Sequence, residues 1–116
     1  MSPKRKDPVA PPPIGREWDV RFGTSEAAKG WPELAKQAPK NTREAFELMR
    51  SNPRPVEDHR HKRLRGELAT HQFEGRPLEQ WQIEVTGGGR IFYLVDDEKR
   101  TVWVITASCG HPKKTE

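Results

Sequence analysis

Residues 80–107 hold three extended patterns in a row, separated by turns short enough only for antiparallel pairing, and this run dictates a sheet. Residues 80–86 alternate, with Trp81, Ile83 and Val85 on one side and Gln82, Glu84 and Thr86 on the other. Gly87, Gly88 and Gly89 follow, and the expectation is that they supply the positive φ of a tight hairpin. After Arg90, residues 91–95 are apolar on both faces, as in a central strand. A charged turn at 96–100 then leads into 101–107, rich in β-branched residues and carrying Trp103.

Upstream, residues 17–22 alternate with Trp18, Val20 and Phe22 on one side, which reads as a first strand. Thr24 or Ser25 can cap a helix whose apolar positions Ala27, Trp31, Leu34 and Ala38 recur at helical spacing. Gly30 and Pro32 predict that this helix kinks or starts afresh near Trp31. A second helix is predicted from Pro39 to Arg50, with Ala45, Leu48 and Met49 or Phe46 inward, ended by Asn52-Pro53 and Pro55. An extended stretch over 62–68 and a polar turn at 74–77 complete the chain. The resulting order, β-α-α-β-β-β, is an α+β fold in which a helical hairpin packs on one face of a mainly antiparallel four-stranded sheet. Parity places Trp18, Trp81 and Trp103 toward the core and leaves the opposite face polar and open.

At 116 residues the chain suits one domain, and 32% hydrophobic against 33% charged residues implies a small core. Residues 1–16, with Pro3, Pro8, Pro11, Pro12 and Pro13, read as a flexible, basic tail, leaving 17–116 as a single domain. No apolar run approaches the ~20 residues of a membrane span, and the amino terminus lacks a signal peptide's apolar stretch, so a cytoplasmic protein without membrane contact is expected. Cys109 stands alone, and His59, His61, His71, Cys109 and His111 match no zinc spacing. The triple glycine lacks the following helix and Gly-Lys-Ser/Thr ending of a phosphate loop. Neither a metal nor a small-molecule cofactor is expected.

A net charge of +4 leans mildly toward a polyanionic partner. The excess of basic over acidic residues is the same on both sides of residue 58, so a basic surface must come from local clustering. His59, Arg60, His61, Lys62, Arg63, Leu64 and Arg65 form one such cluster, without an acid among them. Lys62, Arg63 and Arg65 read there as a phosphate-contacting strip.

The stretches Leu64-Arg65-Gly66-Glu67-Leu68, Trp81-Gln82-Ile83-Glu84-Val85, the glycine hairpin, Arg90-Ile91-Phe92-Tyr93-Leu94-Val95-Asp96-Asp97 and Val102-Trp103-Val104-Ile105 together resemble the RelE/ParE superfamily of toxins from type II toxin–antitoxin systems. The likeness runs from Trp18 to about His111. It implies a toxin neutralised by a cognate antitoxin protein. RelE- and YoeB-type members are ribosome-dependent endoribonucleases that cut messenger RNA, whereas ParE-type members poison DNA gyrase without a nuclease site. Fold alone does not choose between them. The nuclease branch is the favoured expectation, and a gyrase inhibitor or inactive binding relative the alternative.

Metal-independent RNA cleavage uses the 2′-hydroxyl as nucleophile and needs a base, a cation for the phosphorane and an acid for the 5′-oxygen. The resemblance assigns the cation to Arg90, whose guanidinium offers a planar fork to phosphate oxygens. It assigns the acid to His111, with Lys113 and Lys114 as phosphate contacts. RelE itself carries lysines where this chain has Gln82 and Glu84, so lysine chemistry does not transfer. Glu84 is the candidate base as in YoeB-type members, Glu67 is the competing carboxylate, and Arg65 and Gln82 join the expected RNA site. A plain cross-strand ion pair between Glu84 and Arg90 is the other reading of that position.

Overall fold

The computed structural model describes residues 3–110. β1 (Asp19–Phe22) leads into α1 (Ser25–Gln37) and α2 (Pro39–Ser51). The chain continues as β2 (His61–Arg63), a 3-10 turn (Gly66–Leu68), β3 (Thr70–Phe73), β4 (Arg76–Glu84), β5 (Arg90–Asp96) and β6 (Thr101–Ser108). The α+β class holds, with two helices packed on a mixed sheet of six strands, not four. Along the sheet the order is β1-β6-β5-β4-β2, and β3 pairs with β4 beyond the end of β2. Among the described residues only β1 and β6 run parallel, and the other strand pairings are antiparallel.

The unforeseen strand pair is β3 with the first half of β4. Glu74 and Gly75 both adopt positive φ, at 51° and 82°, which makes a two-residue hairpin turn whose twist suits the flanking strands. Pro77 argues against a strand in the sequence. Here it lies opposite Gln72, between hydrogen-bonded pairs of the hairpin, where its missing N–H costs β3 no bond.

Helix α1 also departs from expectation. Thr24 caps it, its hydroxyl accepting from the Ala27 N–H at 3.0 Å, and the helix continues unbroken through Pro32. Ala27 and Ala28 before the proline and Leu34 after it are all buried in the core, and this burial on both sides offsets the proline's cost of about 3 kcal/mol. In α2 the buried residues are Thr42, Ala45, Phe46 and Met49, while Leu48 stays exposed. Ala45, Phe46 and Met49 meet Trp81, Ile83, Val85, Ile91, Tyr93, Val95, Val102 and Val104 from the sheet in the main core.

Gly30 sets how closely α1 approaches β6. A Cβ at this position would lie 1.9 Å from the Ala107 carbonyl oxygen, so only glycine permits the observed packing. The glycines at 87–89 act differently from expectation, because none of them takes a left-handed φ. Gly89 is instead crowded, its hypothetical Cβ falling 2.7 Å from Thr86 Oγ1, 3.1 Å from Leu34 Cδ1 and 3.3 Å from the Ser108 carbonyl oxygen.

The face away from the helices is not uniformly polar. Phe73, Leu78, Leu94, Trp103 and Ile105 form a second buried cluster there, with the Phe73 and Trp103 rings 4.9 Å apart. Trp103 is therefore core as expected, but on the opposite side from Trp81. A register shift after Phe92, which faces Thr106 while Tyr93 faces Val104, leaves Ile105 unpaired in β6.

Residues 1–16 read as a flexible tail. Of these, 6–9 run along β1 as a further strand-like segment: Lys6 N–H donates to Phe22 O at 2.7 Å, Phe22 N–H to Asp7 O at 3.0 Å and Val9 N–H to Val20 O at 2.9 Å. Val9 and Ala10 rest against the main core, and Lys6 pairs with Glu74 over the Trp103 ring.

Gly30→Ala is expected to lower unfolding free energy by about 1–3 kcal/mol in chemical denaturation, although alanine is the better helix former by ~1 kcal/mol. Gly87→Ala, with nothing within 4 Å of its added carbon, is the control and should stay within about 0.5 kcal/mol of the parent.

Candidate functional site

Strand alternation sorts the basic cluster onto two sides of the sheet. His61 turns toward the helices, where it is buried with its ring edge-on to Trp81 and Tyr93. The Tyr93 hydroxyl donates to the Pro53 carbonyl at 2.7 Å, so the 2.6 Å contact with His61 Nε2 has the imidazole N–H donating to the hydroxyl oxygen. Desolvation pushes the His61 pKa below its ordinary value, against the weaker pull of Asp58, and burial raises that of Tyr93. His61 is therefore a neutral structural residue.

Arg63 and Arg65 follow the same parity. Arg63 lies 3.5 Å from Glu79, and Arg65 lies 3.1 Å from Glu57. The acids missing from the cluster in sequence thus arrive from neighbouring segments. Asp58 accepts the backbone N–H groups of both Arg60 and His61 at 2.8 Å, and these bonds, the Arg60 one foremost, lower its pKa. Glu57 accepts the Arg63 N–H at 3.2 Å. Together these contacts occupy the outward-facing backbone of β2 and blunt it as a sheet edge.

Lys62 points the other way, onto the face without helices. In register it stands opposite Gln82, Gln82 opposite Phe92, and Phe92 opposite Thr106. One step along, Glu84 stands opposite Arg90 and Arg90 opposite Ser108, while Arg60 flanks Glu84 through a backbone bond of 2.6 Å. These two rows form the open end of that face; the other end lies under the β3–β4 hairpin.

Arg90 Nη1 lies 3.9 Å from Glu84 Oε2, an ion pair beyond hydrogen-bond length, with both side chains partly exposed. The same nitrogen donates to the carbonyls of Gly89, Thr86 and Gly87 at 3.1, 3.3 and 3.4 Å. The hairpin thereby fixes the guanidinium through one corner. The last described residue, Gly110, lies against Gly88 of the same hairpin.

Of the residues singled out in the sequence, Arg90, Glu84, Gln82 and Lys62 come together. Arg63 and Arg65 do not, because they face the other side. Leu64 N–H donates to Gln80 O, which sets Arg65 more than four residues of β4 from Glu84, over about 13 Å. Glu67 sits exposed in the 3-10 turn beyond Arg65, outside the two rows. His111, Lys113 and Lys114 lie outside the described residues. The sequence reading counted Arg60 in the basic cluster without singling it out, and it overlooked Phe92, although the alternation that places Arg90 on this face places Phe92 there too.

No known family, curated protein or solved structure matches this chain. Among the described residues no helix is long and apolar enough to cross a membrane, and no group of three His, Cys, Asp or Glu side chains is placed to hold a metal ion.

The buried His61 predicts a pH dependence. Its folded-state pKa is below the ordinary 6.5, so the unfolded chain binds the proton more readily and stability falls as pH drops below about 6.5. Urea denaturation between pH 7.5 and 5.5 should show this decline, at most about 1.4 kcal/mol per pH unit for one proton, and a flatter profile in His61→Gln. The lowered carboxylates, Glu79 and Asp97 among them, contribute stability lost only at more acid pH, near and below their ordinary values.

Proposed function

We propose that this protein is the toxin of a type II toxin–antitoxin pair, a ribosome-dependent endoribonuclease that cuts messenger RNA and is neutralised by a cognate antitoxin. The observation that carries this reading is the facing pair of Glu84 and Arg90 at the open end of the sheet, with Gln82 and Lys62 in the adjacent row.

In the proposed reaction Glu84 takes the proton of the attacking 2′-hydroxyl. The loose 3.9 Å pairing leaves its carboxylate free to do so at little cost. Arg90, held at Nη1 by hairpin carbonyls, presents its remaining N–H groups to the phosphorane oxygens, where pre-fixed donors act most strongly. His111, which follows Gly110 directly in the chain, protonates the departing 5′-oxygen. Lys62 and Arg60 hold flanking phosphates, an attraction that weakens with salt. Arg65, Arg63 and Glu67 take no part in catalysis in this scheme.

The contacts from Arg90 to three hairpin carbonyls also favour a second reading, in which the arginine only braces the hairpin and the protein acts by binding, as an inhibitor of gyrase. Primer extension on messenger RNA from expressing cells separates the two. Cuts that need translating ribosomes and fall about 100-fold or more in Arg90→Ala, Glu84→Gln and His111→Ala support the nuclease. Intact messages with accumulated DNA breaks support the inhibitor.

A further inference from the structure

Phe92 is the aromatic ring that the open end leaves partly exposed. Among the described residues, the face opposite the helices carries three aromatic side chains, and the other two, Phe73 and Trp103, are buried against each other. Phe92 packs one side against that buried cluster. Its row-mates Gln82 and Thr106 are polar, and Arg90 precedes it by two residues on the same face of β5, about 7 Å away along the strand. The register shift falls immediately after it, and such irregularities re-aim side chains at the rim of a site.

An aromatic face held from behind by a hydrophobic cluster, next to a cation fixed for phosphate, is the arrangement by which a single-stranded base is stacked while its phosphate is bound. We infer that Phe92 is the base-stacking platform of the RNA site, seating the nucleobase next to the phosphate that Arg90 contacts. The inference rests on the nuclease reading and deepens it, because it makes Phe92 a specificity-determining residue. Gln82, in the same row, offers an amide donor and acceptor to the edge of the stacked base.

The test maps cut sites by primer extension in a translating cell-free extract, with wild type, Phe92→Leu and Phe92→Tyr, each first checked for an unchanged thermal unfolding midpoint. Leucine keeps the apolar support of the cluster but removes the flat face, whereas tyrosine keeps the face. The expected result is about a tenfold loss of cutting in Phe92→Leu with an altered base preference beside the cut, and a wild-type pattern in Phe92→Tyr. An unchanged cut map in Phe92→Leu overturns the stacking role and leaves the nuclease reading standing. So does an equal, base-independent loss in both variants, because that is the mark of a packing residue. Absence of ribosome-dependent cuts by the wild-type protein overturns the nuclease reading itself and the inference with it.

Discussion

The Asp96 carboxylate decides which part of the sheet can meet a partner. It is fully buried, and burial alone would raise its pKa. Arg76 grips it with two nitrogens at 2.7 and 3.2 Å, the Trp103 indole N–H donates at 3.1 Å and the Lys99 backbone N–H at 3.2 Å, and together these hold it ionised, below its ordinary value. A buried charge is tolerated only when it is answered in this way. Because Arg76 opens β4 immediately after the β3–β4 turn, the bond draws that hairpin across the face opposite the helices. Phe73 then reaches Trp103, and Lys6 closes over the same ring and pairs with Glu74. Among the described residues, only the far end, with Lys62, Gln82, Glu84, Arg90 and Phe92, is left uncovered.

Much of the fold was legible because periodicity reports burial. Where a strand buries one face, as with Trp81, Ile83 and Val85, the alternation is clean and the assignment follows. The helical hairpin was legible for the same reason, and Pro39 and Asn52 marked its ends. β3 was hidden because three of its four residues are exposed and its turn uses Glu-Gly where Asn-Gly or Asp-Gly would have announced it. Pro32 and Pro77 misled in the same way. Each is unfavourable locally, and each is tolerated through tertiary context that no window of sequence contains.

The site was legible in its centre and not in its surroundings. Parity was enough to put Gln82 and Glu84 on one face, and the hairpin was enough to bring Arg90 opposite Glu84. The basic cluster at 59–65 looked like a single strip because sequence displays its charges side by side, whereas a strand divides neighbours between two faces. Its apparent lack of acids was a property of the window, since Glu57, Asp58 and Glu79 close on Arg65, His61 and Arg63. Phe92 was passed over because β5 is apolar on both sides, and an apolar strand hides the one position that its neighbours leave uncovered.

The surplus of positive charge therefore says little by itself about where a polyanion would bind. Most arginines outside the open end are engaged: Arg54 with Asp97 and Glu79, Arg50 with Glu47 and Glu17, Arg76 with Asp96. A ligand phosphate would have to compete with a carboxylate already in place, and in the case of Arg54 with a bidentate one whose hydrogen bonds raise the guanidinium pKa further. The Glu84–Arg90 pair differs in kind. At 3.9 Å and partly exposed, it gains little from Coulomb attraction and nothing from a direct hydrogen bond, so separating the two charges costs little. The tight contacts of Arg90 are to hairpin carbonyls, which orient the guanidinium without neutralising it. A cation that is positioned by dipoles and only weakly matched by a neighbouring carboxylate can accept a phosphate without first giving up a strong partner, and the same arrival would leave the carboxylate unpaired beside it.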